Sequence, residues 1–411
     1  MHDAKPLSVA AARARIIGSV SQQKIIEHVP LARALGRTLA VDLAAKRTQP
    51  PLAVSAMDGY AVRTLDLADL PTRLRSIGQS AAGHGFAGKI GIGETVRIFT
   101  GAPVPDGADA VLIQENARVE GDWIEPLQTI TSGRYIRPAG LDFTEGEILL
   151  AAGQRLGPSE IALAAAMNHA ELPVARKPRI AILATGDELV RPGEPIGPEQ
   201  IVTSNSFAIA SFVDLAGGSA QDLGIAADDF SALESGIGAA RAAEADVLVT
   251  LGGASVGDHD LVKSALAKEG MELGFWRIAM RPGKPLIHGR LGPMIILGLP
   301  GNPVASMVCG VLFLLPLVRA LCGDPRAGAD ETEPALLGTP LRANDSREDY
   351  LRATLVASDK GLPVATPFEA QDSSLLRVIA QSQCLVVRDA HAPAAEAGDV
   401  CRVIRLPAGV R

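Results

Sequence analysis

Residues 176–323 alternate between short apolar runs and segments whose apolar residues recur every three or four positions. The runs lie at 179–184, 219–226, 246–251, 273–280 and 294–298, with helix-like segments at 205–216, 231–243 and 261–267. Continuous apolar runs suit strands buried on both faces, and their alternation with helices predicts a mostly parallel sheet with right-handed crossovers. Binding sites in such sheets lie beyond the C-terminal strand ends. The flanking regions have other rhythms. Residues 1 to about 45 open helix-like, with Ser8 a candidate N-cap ahead of an Ala-rich run. Residues 46–143 carry frequent Gly and Pro around short β-type runs at 95–99 and 110–113. Helical character returns near 159–168, so the middle segment reads as an insertion into a split helical first domain. Residues 327–411 show short strands without a helical rhythm, the pattern of a small β domain. The expected division is 1–45 with 144–175, then 46–143, 176–326 and 327–411.

Composition narrows the function. The 411 residues carry 39 Lys+Arg against 46 Asp+Glu, an acidic balance that argues against a general nucleic-acid binder. Aromatics are 3%, too few for a base-stacking surface. Any anionic ligand must therefore be caught by a local basic cluster. Cys309, Cys322, Cys384 and Cys401 have no CxxC or zinc spacing and read as free thiols of a reducing compartment. No apolar signal region opens the chain. The most apolar run, 304–318, is shorter than the roughly 20 residues of a bilayer span and contains Pro316, so a buried helix or a subunit contact is expected. The expectation is a cytoplasmic protein without membrane attachment.

Two motifs are decoys. Gly83 to Gly88 matches GxGxxG, with Lys89 next, but no strand precedes it, no helix follows, and Ile90 replaces the Ser or Thr of a P-loop. A glycine-rich β turn explains it. Gly253 to Gly257 matches the GxSxG elbow of hydrolases around Ser255, after a strand and before a helix. His259 is too close in sequence and the later candidate, His288, lacks an evident acidic partner, so an anion-contacting turn accounts for the same glycines.

The constellation that carries chemistry is a set of glycine-bearing loops, each following a predicted strand. They are Thr185-Gly-Asp-Glu188, the stretch from Gly252 through Gly253 and Asp258 to Asp260, Arg281-Pro-Gly-Lys-Pro285, and Leu299-Pro-Gly-Asn-Pro303. On one sheet edge they would gather the carboxylates Asp187, Glu188, Asp258 and Asp260 with the cations Arg277, Arg281 and Lys284. Carboxylates mixed with cations suggest a phosphate-plus-metal site, since Mg²⁺ takes one or two carboxylates together with water and phosphate oxygens.

With Ser55-Ala-Met-Asp-Gly-Tyr-Ala61, the run from Phe99 to Ala110 that opens Phe99-Thr-Gly-Ala-Pro, and the Thr185–Leu189 motif, these loops make the chain resemble the MoeA family over essentially its full length. The resemblance implies a multidomain α/β and β fold with a MogA/MoaB-like α/β molybdopterin-binding domain, a split helical first domain, an inserted β-rich domain and a C-terminal β-barrel-like domain. It implies a molybdopterin molybdenumtransferase that inserts molybdate into adenylylated molybdopterin and releases AMP. Mg²⁺ or a similar cation would assist. It implies an elongated homodimer whose site lies between the α/β domain of one subunit and the inserted domain of the other, and an adenylyltransferase as supplier of the substrate. Carried over by position, Asp58, Glu188, Asp260 and Arg281 are the catalytic candidates, with Glu188 and Asp260 as metal ligands. Thr100, Arg137, Asp187, Asp228, Gly252, Gly253, Ser255, Arg277, Lys284, Pro300, Asn302, Pro303 and Ser373 are the substrate-binding candidates. Arg277 stands where Lys is common, Thr203 where a polar or acidic residue is common, and Leu251 where Ser or Thr often precedes the glycines. Tungstate insertion, a hydrolase using Ser255 and a non-enzymatic scaffold are the alternatives.

Overall fold

The computed structural model describes residues 6–20, 25–253, 261–359 and 361–407. Ser255, Asp258, His259 and Asp260 lie outside the described residues.

The central sheet has six strands in the order Ser219–Ala226, Arg179–Thr185, Val247–Leu251, Met294–Leu299, Pro285–Leu291 and Glu272–Arg277. The first four run parallel. Its inner parallel strands, Arg179–Thr185, Val247–Leu251 and Met294–Leu299, are buried on both faces, which is why they read as continuous apolar runs. Ile180, Ile182 and Ala184 enter one hydrophobic cluster while Ala181 and Leu183 enter the cluster on the opposite face. Helices Asn205–Ala216, Phe230–Ala242 and Leu261–Lys268 accompany the sheet. Asp229 caps the second by accepting the Ala232 N–H at 2.8 Å.

Two features depart from the periodicity. The run 273–280 is not one strand. Glu272–Arg277 forms the sheet edge, antiparallel to Pro285–Leu291, whereas Met280–Arg281 pairs with Glu348 and Asp349 of the C-terminal sheet. Ile278 and Met280 are both buried, so the apolar pattern runs on through the break. Strand Pro285–Leu291 is not predicted at all, because His288 and Arg290 interrupt its apolar pattern.

The apolar run is a buried helix, and longer than its sequence pattern suggests. Pro303–Leu321 is 19 residues, long and apolar enough by length and composition to cross a bilayer, yet most of it is buried inside the molecule. A π-helical turn at Gly310–Leu314 precedes Pro316, which lacks an N–H to donate and is buried in the next segment. The N-terminal helix Val9–Gly18 begins at Ser8, whose side chain accepts the Ala11 N–H at 3.2 Å. Val9, Ala12 and Ile16 pack into the same cluster as this long helix.

Strand Ile26–Pro30 pairs antiparallel with Glu171–Ala175, and Leu43–Ala44 with Ile148–Leu150. Together with helix Pro158–Ala166 they enclose a separate core around Leu39, Phe143 and Leu172. Between them in sequence stands a sheet ordered Ala110–Ile113, Gly59–Val62, Glu94–Ile98, Leu74–Ser80, Trp123–Pro126 and Ala117–Glu120. The C-terminal strands close on themselves: Glu348–Val356, Val364–Pro367, Glu333–Leu337, Val400–Arg405 and Cys384–Arg388 pair in that order, and the last pairs back with the first. Closure removes the exposed edges that a small open sheet would present. All four cysteines are free thiols.

Candidate functional site

The parallel strands end at Thr185, Ala226, Leu251 and Leu299, and the residues just beyond them line a cleft of about 950 Å³. Gly186, Glu188, Asp228, Gly252, Gly253 and Pro300 to Pro303 come from these strand ends. Strand Pro285–Leu291 enters the sheet at the same edge, which brings Arg281 to Pro285 to the wall. The opposite wall belongs to the C-terminal domain and carries Arg347, Gln371, Asp372, Ser373 and Ser374.

The glycines are there for close approach. Gly252 and Gly253 have φ of +98° and +64°. A Cβ on Gly253 would stand 2.1 Å from Val262 Cγ2, and one on Gly252 2.7 Å from the Thr185 carbonyl. Hydrogen bonds tie the loops together. Asn205 Nδ2 donates to the Gly301 carbonyl at 2.7 Å, and Asn302 Nδ2 to Ser373 Oγ at 3.0 Å. The Val304 N–H donates to the Ser373 carbonyl at 2.9 Å, at the start of the long helix. Ser373 thus joins the C-terminal domain to the Pro300–Pro303 loop. Pro303 is the first residue of that helix.

The cleft lining carries charges of both signs. Beyond the first two strand ends the Asp228 N–H donates to Asp187 Oδ1 at 3.1 Å, and Glu188 lies beside them. Partial burial, then the charges of Asp187 and Glu188, raise the pKa of Asp228 above the ordinary carboxylate value. The lining also holds the cations Arg281, Lys284 and Arg347 and a third carboxylate, Asp372. Arg281 Nε donates to Asp349 Oδ1 at 2.8 Å while Nη2 donates to Asp349 Oδ2, a bidentate pair. This hydrogen bonding raises the pKa of Arg281 further, against the opposing effect of burial. Gln371 accepts the Arg352 backbone N–H at 2.9 Å through Oε1 and holds the wall strand from its own side.

Three candidates gather elsewhere. Asp58 Oδ1 accepts the Thr100 N–H at 2.7 Å and its hydroxyl at 2.8 Å. The backbone bond, then the hydroxyl, hold the Asp58 pKa below its ordinary value. Arg137 lies on the short strand that pairs with Val54 and Ser55, just before this motif. All three belong to the inserted region, and none lines the cleft. Arg277 is also outside the described lining. Its guanidinium stacks on Trp276 at 4.2 Å and its carbonyl accepts the Leu7 N–H at 3.1 Å, where the chain leaves the central sheet. The cations the structure places in the cleft are therefore Arg281, Lys284 and Arg347, not Arg277.

Arg347, Gln371 and Asp372 escaped the sequence reading. They sit on or between strands of a closed sheet, and no local motif announces which loop faces a distant domain. Asn205 did carry a signal, the Ser204-Asn205 pair at the start of a helix. The Gly83–Gly88 decoy is a β turn, with Ala81 and His84 bonded across it and Gly83 at φ +80°.

Three family descriptions match the chain in order: the MoeA N-terminal region (domain I and II) over residues 7–168, a probable molybdopterin binding domain over 181–320, and the MoeA C-terminal region (domain IV) over 334–406. A protein named molybdopterin molybdenumtransferase from Haemophilus influenzae is 31% identical over 97% of this chain and 98% of its own length. One of the same name from Nostoc sp. is 34% identical, covering 95% of this chain and 91% of the relative. Among solved structures, a molybdopterin biosynthesis MoeA protein from Pyrococcus horikosii superposes with a TM-score of 0.82 at 29% identity, over 98% of this chain and 99% of that one.

Proposed function

The chain belongs to the MoeA family, and on that premise we propose that its cleft is where molybdate is inserted into adenylylated molybdopterin, with cleavage of the pyrophosphate bond and release of AMP. The observation that carries this reading is one cleft, at the strand-end edge of the sheet, lined by the carboxylates Glu188 and Asp228 together with the cations Arg281, Lys284 and Arg347. The carboxylates Asp187, Glu188 and Asp228 are hard oxygen donors. Among the described residues, no group of three His, Cys, Asp or Glu side chains is placed to hold a metal alone. The set suits Mg²⁺ shared with substrate phosphates: burial first, and then the charges of Asp187 and Glu188, raise the Asp228 pKa, and a divalent cation would offset both. When bound, Mg²⁺ would supply charge neutralisation at the phosphate oxygens. Glu188 and Asp228 would hold it, with Asp260 as a further ligand.

The remaining roles follow from position. Lys284 and Arg281 hold the molybdate dianion, since an acidic chain binds an anion only through a local cluster. Gly252 and Gly253 let backbone approach the substrate phosphates. Asn302, with Pro300 and Pro303, sets the loop beside them, and Ser373 closes the cleft from the C-terminal domain. Asp58, Thr100 and Arg137 lie outside this cleft, and a homodimer in which a partner's inserted region completes the site gives them a role. An adenylyltransferase that hands over its product fits the same scheme, as does a cytoplasmic location. The hydrolase and tungstate alternatives are not favoured, because the relatives carry molybdenumtransferase names.

The test is AMP release from adenylylated molybdopterin as a function of molybdate. Charge-assisted contacts to an anion are worth about 1.5–3 kcal/mol each, so Lys284→Ala should raise the half-saturating molybdate roughly tenfold to a hundredfold. A wild-type molybdate curve for this variant would count against the cleft as the molybdate site.

A further inference from the structure

Two carboxylates face Arg281, and they hold it differently. Asp349 has a side chain only 7% exposed and grips the Nε–Nη2 edge of the guanidinium. The backbones of Arg281 and Asp349 are also register partners in a parallel pair. Asp345 is 45% exposed and meets Arg281 through one contact, Oδ2 to Nη1 at 3.5 Å. The same oxygen lies 2.8 Å from Arg347 Nη2, and Oδ1 accepts the Arg347 backbone N–H at 2.8 Å and its Nε–H at 3.4 Å, so Asp345 is anchored on Arg347 and only touches Arg281. Asp345 is thus the shared counter-ion of two cleft-lining arginines, while its own side chain is not part of the described lining.

We propose that Asp345 competes with molybdate for Arg281 and Arg347, and that Asp349 is the positioning residue that keeps Arg281 in the cleft wall. The proposal rests on the reading of the cleft as the molybdate site. The bidentate pair is expensive to break on the Asp349 side, because separation would strand a buried carboxylate, although the Arg281 side chain is itself half-exposed. An exposed single-contact pair breaks cheaply. An arriving oxyanion therefore leaves the Asp349 pair intact and takes the Nη1 side, where a carboxylate oxygen already sits. Asp345 sets the anion affinity by opposing it.

The two neighbouring acids then have opposite effects. Asp345→Asn keeps an oxygen for the Arg347 N–H but loses the competing charge, so half-saturating molybdate should fall about threefold to tenfold. Asp349→Asn should raise it by about tenfold or more, with Asp349→Glu recovering part of the loss. The gap between wild type and Asp345→Asn should narrow as salt is raised, because exposed charges are screened.

The experiment measures molybdate-dependent AMP release from adenylylated molybdopterin with the full chain. The proteins are wild type, Asp345→Asn, Asp345→Ser, Asp349→Asn, Asp349→Glu, Arg281→Ala and Lys284→Ala. A damaged fold does not tighten anion binding, so a lowered half-saturation in both Asp345 variants supports the competition. Unchanged or raised half-saturation in both, alongside a raised value for Arg281→Ala, overturns the proposal and leaves the molybdate site standing. If Arg281→Ala and Lys284→Ala also match wild type, the site reading falls with it. A wild-type half-saturation in Asp349→Asn refutes the positioning role.

Discussion

His288 shows how one buried side chain writes a pH dependence into the fold. Its ring is 5% exposed, stacks 5.2 Å from Phe275 and leaves Nδ1 without a hydrogen-bond partner. Nε2 lies 3.3 Å from Ser19 Oγ. Burial, then the positive charges of Arg290 and Arg15, push its pKa from 6.5 down to about 4. The unfolded chain takes up this proton near pH 6.5, the folded chain only near pH 4. Its contribution is therefore fully present above about pH 6.5 and is lost as the pH falls towards 4. Below that both states are protonated and nothing more is lost. At about 1.4 kcal/mol per unit, the loss is on the order of 3 kcal/mol. Urea midpoints measured between pH 7 and pH 4 should fall more steeply for wild type than for His288→Gln. Parallel curves would assign the titration to another group.

At the scale of elements, what the sequence makes legible is local periodicity. The helix Asn205–Ala216 and the strands Ser219–Ala226 and Ala110–Ile113 appear where the pattern puts them. Each is one regular element along which the apolar pattern continues, although the helix leaves Phe207 and Leu215 exposed beside the buried Ile209, Phe212 and Val213. The pattern fails where one element ends without a change in burial. Arg277 closes one strand and Met280 opens another in a different sheet, while the apolar run continues. It also fails at Pro285–Leu291, where a buried histidine looks polar. The helix Pro303–Leu321 was legible as apolar, but its burial depends on Val9, Ile16 and Phe212, which arrive from distant sequence. Phe313 is fully buried at its π-helical turn. Truncating such a side chain costs its transfer energy and leaves a cavity, so Phe313→Ala should destabilise by about 3–5 kcal/mol. Chemical denaturation measures this, and a loss below about 1 kcal/mol would mean that the helix repacks freely.

At the scale of the whole molecule, the site was legible in halves. The loops at Gly186, Gly252 and Pro300 each follow a parallel strand, so sheet topology brings them to one edge, while Arg281 reaches it just ahead of the antiparallel strand Pro285–Leu291. The C-terminal wall was not legible beyond Ser373, because its placement depends on the closure of a distant sheet. The inserted residues are a third case. Asp58 and Thr100 are bonded to each other in the inserted sheet, exposed, and outside the cleft. An exposed carboxylate held in place by two hydrogen bonds, away from the cleft of its own subunit, is what one half of a shared site would present. Two-fold symmetry then makes a sharp prediction. In a dimer of one Asp58→Ala and one Glu188→Ala subunit, one cleft inherits both defects and the other inherits neither. Each homodimer should be inactive. A random mixture, with half its dimers mixed, should recover about a quarter of the wild-type rate. The measurement is AMP release after the two variants are unfolded together, refolded and checked for dimer content. A mixture no more active than the separate variants would place Asp58 and Glu188 in the same subunit's site, or Asp58 in none.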